Sequence, residues 1–260
     1  MEQTPFLKEG EIKIQHTGSA VTSVSEKDYA DFIDMAVHDL DAPLRKLSLL
    51  VGMLMDKLSP DKDTQVYIER IENCVGDMRS LIDDLSVLAK VSSGKREYTS
   101  CKLNSIIEQS LEDLSLASKE KAIVNKYSLP EIEGDAEQYY CLFRNLLENA
   151  IKFCKKDTIP QINIQSSVLN GNEKDHFALP PDRLYYKIEI SDNGIGFKKE
   201  FSEKIFRPFV RLHGKSQFPG NGMGLAICKK IMNIHQGIIY AEGMENEGAR
   251  FTLVLPETHR

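Results

Sequence analysis

Three polar side chains in "RNLLENAIKF" (residues 144–153) have a spacing that could bind a magnesium–phosphate group. Asn145, Asn149 and Lys152 stand at i, i+4 and i+7, which places them on one face of a helix. A carboxamide oxygen can ligate Mg²⁺, and a lysine ammonium can contact phosphate. The same spacing is also typical of polar residues on a solvated helix face. This stretch alone therefore leaves both interpretations open.

A second candidate binding stretch is "SDNGIGF" (residues 191–197), which follows a strand-like alternation. Gly194 and Gly196 allow the backbone to bend sharply and to approach a ligand closely. Asp192, at the end of the predicted strand, could accept a hydrogen bond from an amino group. The alternative is an ordinary Asx turn.

A third stretch, "GNGMGLAICKKI" (residues 220–231), has glycines at 220, 222 and 224 directly before a predicted helix. Backbone N–H groups exposed at a helix N-terminus form a natural phosphate site. No Gly-Lys-Ser/Thr follows, which excludes a Walker A loop. A Rossmann fingerprint is also excluded, because residues 198–219 before the glycines are loop-like rather than a strand.

A histidine and an aspartate stand side by side in "AVHDLDAPLRKL" (residues 36–47), within a helical apolar pattern. A solvated surface pair is the simplest interpretation of His38 and Asp39. Pro43 lacks an N–H and leaves the Asp39 carbonyl without its helical partner, so we expect a bend just after this pair. The bend could serve signalling or could be a tolerated kink.

These residues must be positioned by two kinds of structure, the first of which is a helical hairpin. Two heptad seams flank the turn-like segment "SPDKD" (59–63) and predict two helices between residues 28 and 93. Such a hairpin buries little alone, and pairing in a dimeric four-helix bundle supplies the missing apolar surface. A monomeric helical subdomain packed on the rest of the chain is the alternative. The seam positions are Ile33, Val37, Leu40, Leu44, Leu47, Val51, Leu54 and Leu58, then Ile68, Ile71, Val75, Met78, Ile82, Leu85 and Ala89.

The second kind of structure is an α/β sandwich, predicted from about residue 96 onwards. The order of its elements suggests one mixed sheet covered on one face by helices. A polar loop is expected at 170–182, and a capping box of Asp135 and Gln138 opens the central helix. Helices are predicted at 103–119, 136–155 and 222–235, and strands at 122–127, 161–168, 184–190, 237–242 and 250–255.

Composition restricts the function further. The net charge is −6 with interspersed signs, and the chain lacks the basic footprint of a nucleic-acid binder. The apolar run 47–55 is too short to span a bilayer, and the first residues do not resemble a signal peptide. Five cysteines without a CxxC pair predict a reduced, cytoplasmic protein with neither a disulfide framework nor a zinc site.

Together and in this order, the motifs resemble those of the sensor histidine kinases of two-component systems, and most of all the phytochrome-like subset. The H box is "HDLDAPLRKL", the N box "NLLENAIKF", the G1 box "DNGIGF", the F box "IFRPFVRL" and the G2 box "GNGMGLAI". The resemblance covers residues 28–256. It implies a dimerisation and phosphotransfer domain at 28–95 and a catalytic ATP-binding domain at 96–260. Residues 1–27 are then an arm or the remnant of an upstream region.

The resemblance also implies roles for single residues. His38 accepts the γ-phosphate of ATP and passes it to an aspartate of a response regulator, while Asp39 holds the Nδ1 proton of the imidazole. Asn149 ligates Mg²⁺, and Asp192 binds the adenine amino group. The remaining implied contacts to the nucleotide come from Asn145, Lys152, Gly194, Gly196, Arg211, Gly222, Gly224 and Leu225.

Three departures from the family pattern modify these expectations. Asp41 stands where many relatives have a basic residue, and Ala42 replaces the Thr or Asn that positions a hydrolytic water. We therefore expect weak dephosphorylation of the regulator. "EGARF" (247–251) replaces the usual Gly-Ser/Thr pair, and an effect on packing alone is expected. A non-catalytic scaffold that binds regulators without turning over ATP is the alternative function.

Overall fold

A computed structural model describes residues 26–57, 62–93, 98–117, 122–214 and 217–259. Most of the predicted arm at 1–27 and of the turn at 59–63 lies outside these residues. The side chains of Ile33, His38 and Asp39 are also outside the description, although the backbone of all three is helical. Among the described helices, none combines the length and the apolar character needed to cross a membrane.

The predicted hairpin consists of α1 (Glu26–Lys57) and α2 (Lys62–Ser93), and α1 continues through Pro43. Alternate seam positions have opposite environments within one chain. One set packs between the two helices, as Leu44, Val75 and Ile82 do beside Val37. The other set remains open to solvent, with side chains 38–50% exposed: Leu40, Leu47, Leu54, Ile71 and Met78.

The remaining elements form the predicted α/β sandwich. They are β1 (Thr99–Lys102), α3 (Leu103–Ala117), β2 (Ile123–Lys126), β3 (Glu131–Gly134), α4 (Ala136–Lys152), β4 (Gln161–Val168), α5 (Gly171–His176), β5 (Tyr185–Asp192), α6 (Gly224–Ile234), β6 (Ile238–Met244) and β7 (Gly248–Pro256). Two short 3₁₀-helices, Lys199–Phe201 and Lys204–Phe206, lie between β5 and α6.

The main sheet is mixed and has the strand order β2-β4-β5-β7-β6. Only β2 pairs in parallel, with β4, while the other three pairings are antiparallel. Alternate residues of the central strands face the helices, and these side chains are fully buried. They are Ile162, Ile164, Ile188, Ile190 and Leu253, and they pack in one core with Leu142, Phe143, Leu146 and Leu147 of α4.

Three features of the sandwich differ from the sequence prediction. The predicted polar loop at 170–182 contains α5, whose capping box joins Asn170 and Glu173 by two reciprocal hydrogen bonds. A small antiparallel pair, β1 with β3, was not predicted. The helix expected at 136–155 ends at Lys152, where Phe153 forms the C-cap.

The hairpin and the sandwich share part of one core. Val91, near the end of α2, is 6% exposed and belongs to the same buried cluster as Leu103 and Leu146. Leu85 and Leu88 pack against that cluster from the same helix. The last turns of α2 therefore belong to both structures.

Candidate functional site

A cavity of about 250 Å³ lies where α4, the start of α6 and the stretches 205–213 and 218–220 meet α2. Nearly every residue assigned to nucleotide binding from the sequence lines it. These are Asn145, Asn149, Lys152, Asp192, Gly196, Arg211, Gly222, Gly224 and Leu225.

Helix α4 supplies one wall of the cavity, and its position is set by an apolar face and a well-formed start. The Asp135 side chain accepts hydrogen bonds from the N–H groups of Glu137 and Gln138, which fixes the first turn. Asn145 donates to the Cys141 carbonyl at 2.8 Å, so its amide oxygen is turned towards α6. A Cβ atom at Gly224 would lie 2.5 Å from that oxygen. A side chain at position 224 would therefore displace the Asn145 amide from this position.

The Lys152 ammonium is the cation of this wall. Burial lowers the pKa of Lys152, and the nearby Glu148 carboxylate partly offsets this effect. A Cβ atom at Gly220 would lie 2.6 Å from its Nζ, which shows how closely the ammonium approaches the glycine-rich loop. A desolvated ammonium beside exposed backbone N–H groups favours an anionic ligand.

The glycine-rich loop 220–224 has the geometry of an anion site. Gly220 and Gly222 have φ values of +129° and +74°, a region that favours glycine. A Cβ atom at Gly222 would lie 2.6 Å from the Val210 carbonyl oxygen. Helix α6 begins at Gly224, and its N-cap residue, Met223, makes no side-chain hydrogen bond to the first turn. The first N–H groups of α6 therefore remain available to a ligand.

Strand β5 contributes the acidic side chain of Asp192 to the cavity lining. Its Oδ1 accepts hydrogen bonds from the N–H groups of Gly194 at 2.8 Å and Ala249 at 3.2 Å. Burial raises the pKa of Asp192, and these two bonds oppose the shift. Because both bonds use Oδ1, Oδ2 is the atom placed to accept a hydrogen from a ligand amino group.

Glycines fix the backbone around Asp192. Gly196 has a φ of +62°, and a Cβ atom there would lie 2.0 Å from the Met244 carbonyl oxygen. Gly194 does not line the cavity, but its N–H holds Asp192. Ala249 of "EGARF" lines the cavity, and its backbone N–H binds the Asp192 carboxylate, so this stretch adjoins the site.

Residues between 205 and 213 and between 218 and 220 form a further part of the cavity wall. Arg211 donates to the Phe218 carbonyl at 2.8 Å, and the rings of Phe218 and Phe153 stand 5.0 Å apart. Phe206 packs edge-on against Phe251 of the core, whereas Phe209 is exposed. Of these two aromatics, Phe206 is the one that packs on the core.

Several cavity residues were not identified from the sequence, and two of them belong to the hairpin. Ser80 and Asp84 of α2 line the cavity, so the hairpin forms part of its wall. Their i, i+4 spacing is an ordinary helical pattern, and no local signal relates it to a site more than 60 residues away. Among the described residues, α1 contributes nothing to the lining.

Ala42 is exposed on α1, and Asp41 forms an ion pair with Arg45 at 3.0 Å.

Two family models match the chain one after the other. The His Kinase A (phospho-acceptor) domain matches residues 29–94, and the Histidine kinase-, DNA gyrase B-, and HSP90-like ATPase matches residues 134–259. Among known proteins, the phytochrome-like protein Cph1 of Synechocystis is 34% identical over 235 residues, which are 89% of this chain and 30% of Cph1. The sensor protein RprX of Bacteroides fragilis is 30% identical over 238 residues, 87% of this chain and 43% of RprX. The chain therefore spans less than half the length of either relative.

Solved structures share the fold. Full-length ShkA in complex with AMPPNP has a TM-score of 0.62 at 18% identity and covers 88% of this chain and 46% of that one. The histidine kinase AdeS of Acinetobacter baumannii has a TM-score of 0.54 at 20% identity and covers 85% of this chain and 98% of that one. The helical hairpin followed by the α/β sandwich is thus the arrangement of known histidine kinases.

Proposed function

Since the chain belongs to the two-component sensor histidine kinases, we propose that it uses ATP to phosphorylate His38 and passes the phosphoryl group to an aspartate of a response regulator. The cavity is the observation that carries this proposal. Asp192 stands at one end as an acceptor for the adenine amino group. Lys152, Arg211 and the N–H groups of loop 220–224 stand where the phosphates would bind.

Mg²⁺ fits the oxygen donors of α4. Asn149 and Glu148 line the cavity next to Lys152, and amide and carboxylate oxygens are suitable ligands for this ion. We assign Asn149 as the protein ligand, with Asn145 nearby. The ion would neutralise charge on the phosphates. The chain's own residues bind the nucleotide, orient its γ-phosphate and hold the proton of His38.

The transfer step requires a neutral imidazole at His38. Its Nε2 attacks the γ-phosphorus, the Nε2–P bond forms, and the bond from phosphorus to the bridging oxygen breaks as ADP leaves. Asp39 accepts a hydrogen bond from Nδ1–H and stabilises the positive charge that develops on the ring. A carboxylate oxygen of the regulator then attacks the same phosphorus, the Nε2–P bond breaks, and His38 returns to its neutral form.

We also propose that the kinase is a homodimer and that it works in the cytoplasm. The exposed seam positions of α1 and α2 form apolar surface along one face of the hairpin, which a second hairpin would cover. Five scattered cysteines without a CxxC pair are typical of proteins in a reducing compartment.

Incubation with radiolabelled ATP tests the proposal. We expect label that is lost in acid and retained in alkali, as for phosphohistidine. His38→Gln should abolish the label and leave nucleotide binding nearly unchanged, because the described cavity lining contains no α1 residue. His176→Gln is the matched control, since His176 is exposed on α5. Acid-labile label on the His38→Gln protein would contradict the assignment, and nucleotide binding without any label would favour the scaffold alternative.

A further inference from the structure

The glycine-rich loop of the ATP-binding domain is hydrogen-bonded directly to the hairpin. Asn221, which is 9% exposed, donates from Nδ2 to the Ser80 hydroxyl at 2.8 Å and to the Asp84 carboxylate at 3.2 Å. Ser80 and Asp84 are one helical turn apart on α2, so both acceptors face the same loop. One amide thus connects two domains whose sequence positions differ by about 140 residues.

The backbone of loop 220–224 determines both this contact and the proposed phosphate site, so the two are not independent. Asn221 lies between Gly220 and Gly222, whose left-handed backbone conformations set the direction of its side chain. The Gly222 carbonyl also accepts a hydrogen bond from the Phe209 N–H at 3.1 Å. A change in the loop backbone on binding phosphate would therefore move the Asn221 amide relative to α2.

The contact also brings negative charge to the phosphate end of the cavity. Asp84 lines the cavity together with Glu148 and Lys152. Burial raises the pKa of Asp84, as do the carboxylates of Asp83 and Glu148, whereas the hydrogen bond from Asn221 opposes the shift. A triphosphate next to the loop would add like charge beside this desolvated carboxylate.

We propose that Asn221, Ser80 and Asp84 form an interdomain clasp that opposes nucleotide binding, so that phosphates in loop 220–224 and the closed clasp exclude each other. The clasp rests on the proposed function, and it assigns a regulatory contact to the same site. Linkage makes the effect reciprocal. A nucleotide that opens the clasp frees loop 220–224 from α2, and a hairpin movement that opens the clasp raises nucleotide affinity.

Titration calorimetry of the full chain with Mg²⁺ and AMPPNP tests the clasp. Asp84→Asn removes the charge and Ser80→Ala removes one acceptor without changing charge. Each should tighten AMPPNP binding by about fivefold or more, the lower end of typical coupling between sites. Asp83→Asn and Ser86→Ala are the matched controls on the same helix, since Asp83 is exposed and Ser86 bonds to the Ile82 carbonyl of its own helix. Neither control should change the affinity by as much.

The outcomes separate the clasp from its alternatives. Tighter binding by Asp84→Asn alone would show simple charge repulsion and would overturn the clasp, as would unchanged or weaker binding by both variants. An unmodified chain that binds AMPPNP upholds nucleotide binding whatever the variants do. If neither the unmodified chain nor Ser80→Ala binds AMPPNP, both the clasp and the proposed function fail. If only the clasp variants bind, the clasp is upheld in its strongest form.

Discussion

At the scale of single residues, Asp192 lines the cavity although burial of its ionised carboxylate lowers the stability of the fold. Burial raises its pKa above the ordinary value, so the folded protein favours the protonated acid more than the unfolded chain does. The contribution of this group to stability is therefore present below its ordinary pKa and lost as pH rises through the raised pKa. At neutral pH the ionised carboxylate costs stability. The bonds from Gly194 and Ala249 reduce this cost, and an amino-group donor on the ligand would reduce it further.

We predict that Asp192→Asn weakens ATP binding by about tenfold to hundredfold, the range for loss of one hydrogen bond to a charged group. The asparagine oxygen can keep the bonds from Gly194 and Ala249, but its amide would present hydrogens to the adenine amino group. Without nucleotide, the variant should unfold at the same temperature as the unmodified protein or higher at pH 7. Calorimetric titration and thermal melts measure both effects, with the exposed Asp175→Asn as control. A large fall in melting temperature would instead assign Asp192 a structural role.

At the scale of elements, the hairpin contains more apolar surface than one chain can bury. Leu44 and Val51 are 8% and 6% exposed, whereas Leu40, Leu47 and Leu54, on the other half of the same seam, are 39–50% exposed. Each seven-residue repeat of α1 has two apolar positions. One position packs against α2, and the other is available to a different helix. The unburied half is thus the feature that determines assembly.

We predict that the full chain is a dimer and that Leu47→Glu converts it to a folded monomer. A carboxylate in the interface would lose its hydration, and a buried leucine is worth about 1.5–3 kcal/mol. Leu49→Glu is the matched control, because Leu49 is off the seam and 68% exposed. Sedimentation at micromolar concentration measures both variants. A monomeric unmodified chain, or a dimeric Leu47→Glu protein, would contradict the prediction.

Long periodic elements could be predicted from the sequence, and short ones could not. The two heptad helices and strand β4 follow from repeats of 3.5 and 2 that extend over many residues. Strands β1 and β3 have four residues each and depend on each other across about 30 residues, so neither has a local signal. Helix α5 did have a local signal, because Asn170 and Glu173 form a capping box. The Pro and Gly residues of the same stretch had suggested a loop instead.

The same distinction explains the site. Asn145, Asn149 and Lys152 could be predicted to lie together because one helix fixes their spacing. Ser80 and Asp84 join them only through packing of α2 against the start of α6, a long-range contact that no motif encodes. The residues proposed to bind the nucleotide could thus be predicted from the sequence, whereas the residues that connect the hairpin to the sandwich could not.

At the scale of the whole molecule, α2 is the element through which the domains influence each other. Its middle packs on α1 through Val75 and Ile82, and its end enters the core of the sandwich through Val91. A rotation or shift of α2 would therefore act on the proposed dimer interface, the proposed clasp and the core of the sandwich together. The stability of the sandwich should accordingly depend on a residue of the hairpin.

We predict that Val91→Ala lowers the stability of the ATP-binding domain by on the order of 2 kcal/mol, because it removes two buried methyl groups and leaves a cavity in a shared core. For a domain of this size, that loss corresponds to a fall in melting temperature of about 4–8 °C.

Val66→Ala is the matched control, since Val66 lies on the same helix but is 46% exposed. Alanine favours helix at an exposed position, so the control should melt at the same temperature or slightly higher. Calorimetry at one fixed protein concentration measures both variants. Equal melting temperatures for them would show that the sandwich is stable independently of α2, and the hairpin would then act on the nucleotide site through the surface contact of Asn221 alone.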